Sequence, residues 1–217
     1  IRRLADKQCF LSGMSAIVTD TRNLAESEVT IYVVIAVILS SIVLALTMGS
    51  YLIPVLFLLS IGMAILYNMG TNLFLGEISY ITKALSAVLQ LGVTMDFSIF
   101  LLHRFEEEKE RGFEDEEAMV QAIRKTFSSI LGSSLTTIAG FLAMCTMTLT
   151  LGADIGLVMA KGVFLGVACT ITVLPALLMT FRKSIARHTH RTFIPKLSKT
   201  SRFVVKRRVP ILVGFLL

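Results

Sequence analysis

The stretch LQLGVTMDFSIFLLHRFEEEKERG, residues 89–112, decides how this chain is read. It begins as an apolar run suited to lipid, closes on a dense charged block, and places Asp96 inside the apolar part. Aspartate is short and cannot reach far toward water, unlike Lys on its long stem. At a rise of ~1.5 Å per residue, Asp96 lies ~10 Å from the polar exit at His103 and ~20 Å from the far edge of a spanning helix. An acid at that depth is costly, and by default it marks a functional site facing the interior of a helix bundle. Gly92, four residues earlier, shares that face and lets another helix approach closely.

The rest of the chain has the same character. Of its 217 residues, 54% are hydrophobic, Trp is absent and the mean hydropathy is +0.77, too apolar for an ordinary soluble domain. A bilayer core needs roughly 20 apolar residues in a helix, and five segments supply them. TIYVVIAVILSSIVLALTM covers 30–48, and YLIPVLFLLSIGMAILYNMG covers 51–70 with Pro54 in its first turn, where a missing N–H does little harm. The others run over about 78–103, 128–150 and 154–181, and residues 209–217 read as the start of a further span. Lipid offers no partner for an unpaired backbone group, so all of them must be helices. The expected fold is therefore an all-α membrane protein, a five-span helix bundle occupying 29–181.

The formal net charge of +6 is gathered into blocks, a pattern that points to membrane orientation and away from nucleic acid. Segment 182–208 carries Lys and Arg throughout and no acid, and the connection 104–127 adds Arg104, Lys109, Arg111, Arg124 and Lys125. Alternating spans put both on one side, which the positive-inside rule makes cytoplasmic. Residues 1–28 then lie outside, as the end of an extracytoplasmic domain. Within 104–127, acids precede Arg124 and Lys125, while Met119, Val120, Ile123 and Phe127 form one stripe. That pattern predicts an amphipathic helix on the inner surface. The basic segment 182–208 suits either a topology-setting linker or contact with anionic headgroups.

The fourth span runs back outward, so Ser133, Ser134, Thr136 and Thr137 reach roughly the depth of Asp96; Thr170 and Thr172 in the fifth span do the same. Their hydroxyls can stabilise either protonation state or carry water. Lys161, a second intramembrane charge, lies nearer the outer side, and no direct pair with Asp96 is expected. Lys83 can snorkel outward, and Asp154 suits a helix N-terminus. Cys9, Cys145 and Cys169 fit no metal spacing, and there is neither a nucleophile elbow nor a phosphate-binding loop. Hydrolytic or redox chemistry, a metal and a cofactor are not expected, and His103 reads as an interfacial residue.

With these residues in place, GVTMDFSIFLLHRFEEE (92–108) resembles the G-x-x-x-D-[YF] helix of the RND superfamily, specifically its MMPL branch, whose members are hydrophobe exporters related to Patched and the sterol-sensing proteins. SSILGSSLTTIAGFLAM (128–144) is similar to that family's next span. DIGLVMAKGVFLGVACTITVLPALLMTF (154–181) is similar to the following one, and SGMSAIVTDTRNLAESEV (12–29) to the end of the porter loop. The resemblance implies a piece of a repeated unit: the close of the first external domain, spans two to six, and the start of span seven. It implies export of lipids or amphiphiles driven by the proton-motive force, with Asp96 as the proton relay. The partners it implies are protons, membrane lipids, a hydrophobic or lipid substrate and the second repeat of the same transporter. The place it implies is the plasma membrane, the inner (cytoplasmic) membrane of a bacterium. Many members have Tyr after that Asp; here Phe97 lacks the hydroxyl that would pair across the repeat interface. Two alternatives stay open, a non-transporting lipid sensor of the sterol-sensing type and a structural membrane subunit.

Overall fold

A computed structural model describes residues 14–72, 78–187 and 207. Its described residues form six helices: α1 (Met14–Thr47), α2 (Leu52–Thr71), α3 (Tyr80–Glu110), α4 (Asp115–Met144), α5 (Thr150–Thr180) and the short α6 (Arg182–Arg187). Helices α2, α3, α4 and α5 are each long and apolar enough to cross a membrane, and α1 adds the apolar stretch Ile31–Thr47. The all-α membrane bundle read from the sequence is the observed fold. Residues 1–13, 188–206 and 208–217 lie outside the described part, and with them Cys9, most of the basic linker and the expected next span. Helix α1 begins at Met14, so the described part of segment 1–28 is already helical.

Two boundaries correct the sequence reading. The fourth span was expected over 128–150, but α4 stops at Met144 and Thr150 already opens α5. Between them the amides of Cys145, Thr146 and Met147 turn back three residues, to the carbonyls of Leu142, Ala143 and Met144, which tightens the helix end. Thr146 and Thr148 are β-branched and favour leaving the helix, a preference that a hydropathy window does not register.

The second correction concerns 104–127, which is not a separate surface helix. Its first part prolongs α3 to Glu110, and its second part forms the opening turns of α4. Gly112 makes the break, at φ +95°. The Gly112 N–H reaches the Lys109 carbonyl at 3.0 Å and the Phe113 N–H that of Glu108 at 3.4 Å, a left-handed C-terminal cap that needs a residue without Cβ. Asp115, Glu116 and Glu117 then occupy the first turn of α4, where the helix dipole favours acids. The expected apolar stripe divides: Met119 is buried and Ile123 half-buried, while Val120 and Phe127 are exposed.

Helix α5 is the centre of the bundle, packed against α2, α3 and α4, with α1 on the outside of α2 and α3. Half of the apolar window of α5 is buried, against 11% for α4. One apolar cluster, built around Leu44, Phe57, Leu101, Leu102, Leu174 and Leu178, fills the end where α3 meets α4. A second, of Phe97, Ile130, Val163 and Val167, joins α3, α4 and α5. Helices α4 and α5 approach closely at Gly156, where a Cβ would come to 2.5 Å from the Phe141 carbonyl oxygen.

Past His103 the polar extension of α3 is fixed to α4 by one acid. Glu108 is fully buried, with Lys125 Nζ 2.9 Å from both of its carboxylate oxygens. Arg111 Nη1 and Arg104 Nε lie 3.2 Å from Oε1. The hydrogen bonds from Lys125, with Arg111 and Arg104 beside them, hold the Glu108 carboxyl below its ordinary value.

Candidate functional site

Asp96 lies midway along the apolar part of α3, as its depth required, but it does not face the bundle interior. Leu85, Leu89, Gly92, Asp96, Phe100 and His103 are all exposed and recur every three or four residues, so they form one outward stripe. Among the described residues no hydrogen bond or ion pair reaches the Asp96 carboxylate. Gly92 lies on the same stripe, and a Cβ built on it would meet nothing within 4 Å. The face that Gly92 clears is therefore the outer one.

Phe97 is the next residue along and, at ~100° per residue, points elsewhere. Its ring is 7% exposed and packs in the cluster with Ile130, Val163 and Val167. A ring in that position does not lie on the outward stripe with Asp96, and its lack of a hydroxyl suits the apolar pocket it fills.

None of the hydroxyls expected around Asp96 hydrogen-bonds to it. Ser133 and Thr136 are exposed on α4, and Thr137 is half-buried. Thr136 Oγ1 donates to the Gly132 carbonyl and Thr137 Oγ1 to that of Ser133, both at 3.0 Å, which is the usual way a helical Thr satisfies itself. Ser134 is buried and donates to Leu131, and Thr172 on α5 donates to Ala168. Lys161 is likewise apart from Asp96: its Nζ donates to the Asn68 carbonyl at 3.2 Å and to Asn72 Oδ1, both on the α2 end.

What the sequence reading missed is on the other side of α3. Thr82, Ser86, Gln90, Thr94 and Ser98, each four residues apart, are all buried to 1% exposure or less. The last three of this row face α5 at a constant offset of 72 residues. Gln90 Nε2 donates to the Gly162 carbonyl at 3.1 Å, and Ser98 Oγ lies 3.4 Å from Thr170 Oγ1. Between these pairs, a Cβ on Gly166 would collide with the Thr94 side chain. Asn68 of α2 completes the seam, its Nδ2 donating to Gln90 Oε1 at 2.8 Å and to the Val158 carbonyl at 3.3 Å. Asn68 Oδ1, Thr82 Oγ1 and Thr94 Oγ1 are buried with no partner among the described residues. The signal was present as a polar residue at every fourth position from 82 to 98 of an otherwise apolar span.

Helix α3 thus has two polar faces with different chemistry. The inner one holds neutral amides and hydroxyls, among which Asn68 pairs with Gln90 and Ser98 with Thr170. The outer one holds a single carboxylate with no hydrogen-bond or ion-pair partner among the described residues. Among the described residues no group of three or more His, Cys, Asp or Glu could hold a metal ion.

Comparison with known proteins adds to this geometry. The sequence matches the MMPL family over residues 2–211. It is 30% identical over 190 residues to the putative membrane protein ActII-3 of Streptomyces coelicolor, covering 83% of this chain and 26% of that protein. It is 26% identical over 184 residues to the membrane protein YdfJ of Bacillus subtilis, covering 81% and 25%. To the siderophore exporter MmpL5 of Mycobacterium tuberculosis it is 24% identical over 174 residues, covering 78% and 18%. The chain thus spans about a quarter of the length of the first two of these relatives.

Proposed function

The chain belongs to the MMPL family, and from that premise we propose that it is the proton-relay half-bundle of a secondary transporter. That transporter exports lipids or other hydrophobic or amphiphilic compounds, and the proton-motive force drives it. Asp96 carries the proton. The observation that supports this most directly is the placement of Asp96: a carboxylate at mid-span depth, on an outward stripe, beside a glycine that leaves its face open. A charge directed at lipid would be costly, so the stripe is covered in the working protein. The second repeat of the same transporter is the proposed cover. Two half-bundles moving against each other about a midplane acid then couple protonation to the external domains. The relatives named as transport proteins or exporters support the same direction. The charged connection between α3 and α4 faces the cytoplasm, and the protein resides in the plasma membrane.

The test is Asp96→Asn in the intact protein, with efflux measured at unchanged expression, with and without a proton gradient. The variant is expected to lose gradient-dependent efflux. Undiminished efflux would refute the relay.

A further inference from the structure

A cavity of about 490 Å³ lies at the end of the bundle between α2, α3, α5 and α6, closed on one side by Asp115 at the start of α4. We propose that it is a binding site for lipophilic cations, single-chain amines or quaternary ammonium compounds. Its volume falls in the ~300–1,000 Å³ range of small-molecule sites. The inner walls are apolar, from Ile53, Leu102, Leu178 and Ile185. Its mouth is formed by the polar extension of α3, so one ligand there meets an apolar interior and a charged rim.

The sign of the rim follows from its pairings. Lys109 and Arg182 also line the cavity, but each already has a partner: Lys109 Nζ is 2.7 Å from Asp115, and Arg182 Nη1 is 3.5 Å from Glu116. Glu106 and Glu110 remain, one turn apart on α3, where like charges repel. Among the described residues neither has a Lys or Arg within ion-pair distance, and the one ionisable neighbour of Glu106 at that range is His103, 3.5 Å away. A cation placed between the two carboxylates relieves that repulsion, whereas an anion adds to it. Charge on the rim and apolar surface within therefore select one class of amphiphile. This site stands independently of the transport reading.

The experiment uses the full-length protein in nanodiscs of neutral lipid and radiolabelled dodecyltrimethylammonium as the probe. Saturable binding is expected, displaced by unlabelled dodecylamine but not by dodecyl sulfate at equal concentration. The double variant E106Q/E110Q is expected to bind roughly tenfold or more weakly, the size of a lost charge-assisted contact. I185W, which fills the apolar interior without touching the charges, is expected to weaken binding as well. E117Q removes an acid of α4 outside the lining and should leave binding unchanged. Wild-type affinity in E106Q/E110Q overturns the proposal, as does equal displacement by dodecyl sulfate. D96N is expected to bind like wild type; loss of binding there would place the amine at the mid-span acid and would also overturn it.

Discussion

Replacing Gln90 by Met tests whether the buried seam between α2, α3 and α5 holds this bundle together. Met has nearly the same length and volume, so the substitution removes polarity with little change of shape. Two hydrogen bonds disappear, Asn68 Nδ2 to Gln90 Oε1 at 2.8 Å and Gln90 Nε2 to the Gly162 carbonyl at 3.1 Å. At ~0.6–1 kcal/mol for each bond in a membrane setting, the direct loss is ~1–2 kcal/mol. Asn68 retains its bond to the Val158 carbonyl at 3.3 Å, so it is weakened but not stranded. The assay is unfolding of the protein in bicelles, followed by steric trapping, for wild type, Q90M, N68L and the double variant. Asn68 and Gln90 share a bond, so the double variant should lose less than the sum of the two singles, by ~0.6–1 kcal/mol. Full additivity, or a Q90M protein as stable as wild type, would refute the claim that these amides hold α2, α3 and α5 in register.

The other expectations follow from single positions. G156A places a Cβ against the Phe141 carbonyl, which cannot yield as a side-chain tip could, and should cost about 1–3 kcal/mol in the same unfolding assay. G92A meets nothing within 4 Å and should leave the stability of this bundle unchanged or raised by up to ~1 kcal/mol, while lowering transport in the full-length protein if the stripe is covered as proposed. Glu108 has its carboxyl depressed below the ordinary 4.5 by Lys125 first of all. Its contribution to stability is therefore complete above that ordinary value and declines as the pH falls through the depressed one. Unfolding measured across the acidic range should show this decline in wild type and a smaller one in E108Q.

The fold was legible because the spans announce themselves by composition: α2 and α5 lie within a few residues of the apolar runs that mark them, and α3 starts with its run but continues past it to Glu110. The α4 boundary was less legible, since CTMTL is as apolar as a helix interior and only the backbone turn shows that it is a connection. For Asp96, sequence gives depth, because rise per residue is fixed. Azimuth needs to know which neighbours exist. The expectation that Asp96 faces inward does not hold, since the exposed stripe from Leu85 to His103 places it on the outer face of the described helices. Shared depth likewise does not fix a hydrogen bond: Thr136 and Thr137 bond to their own helix. The inner seam could have been found by reading the polar residues of α3 for a four-residue period.

That period has a consequence for how one helix can serve two purposes. Asp96 stands two residues from both Thr94 and Ser98, and at ~100° per residue this sets it ~160° away from the seam. The inner face is fixed by direct side-chain bonds and by glycines that bring α5 close, so rotation of α3 about its axis would separate Gln90 from Gly162 and Ser98 from Thr170. A carboxylate on the opposite face is thereby held in a defined direction without a hydrogen bond of its own. None of the contacts inside this bundle involves that carboxylate, so its surroundings can change without breaking them. Under the proposed relay, the bundle would be a rigid mount for Asp96, and any movement would arise at its outer face. Variants of the seam should accordingly lower stability and leave the outer stripe chemically intact. Variants of the stripe should do the reverse.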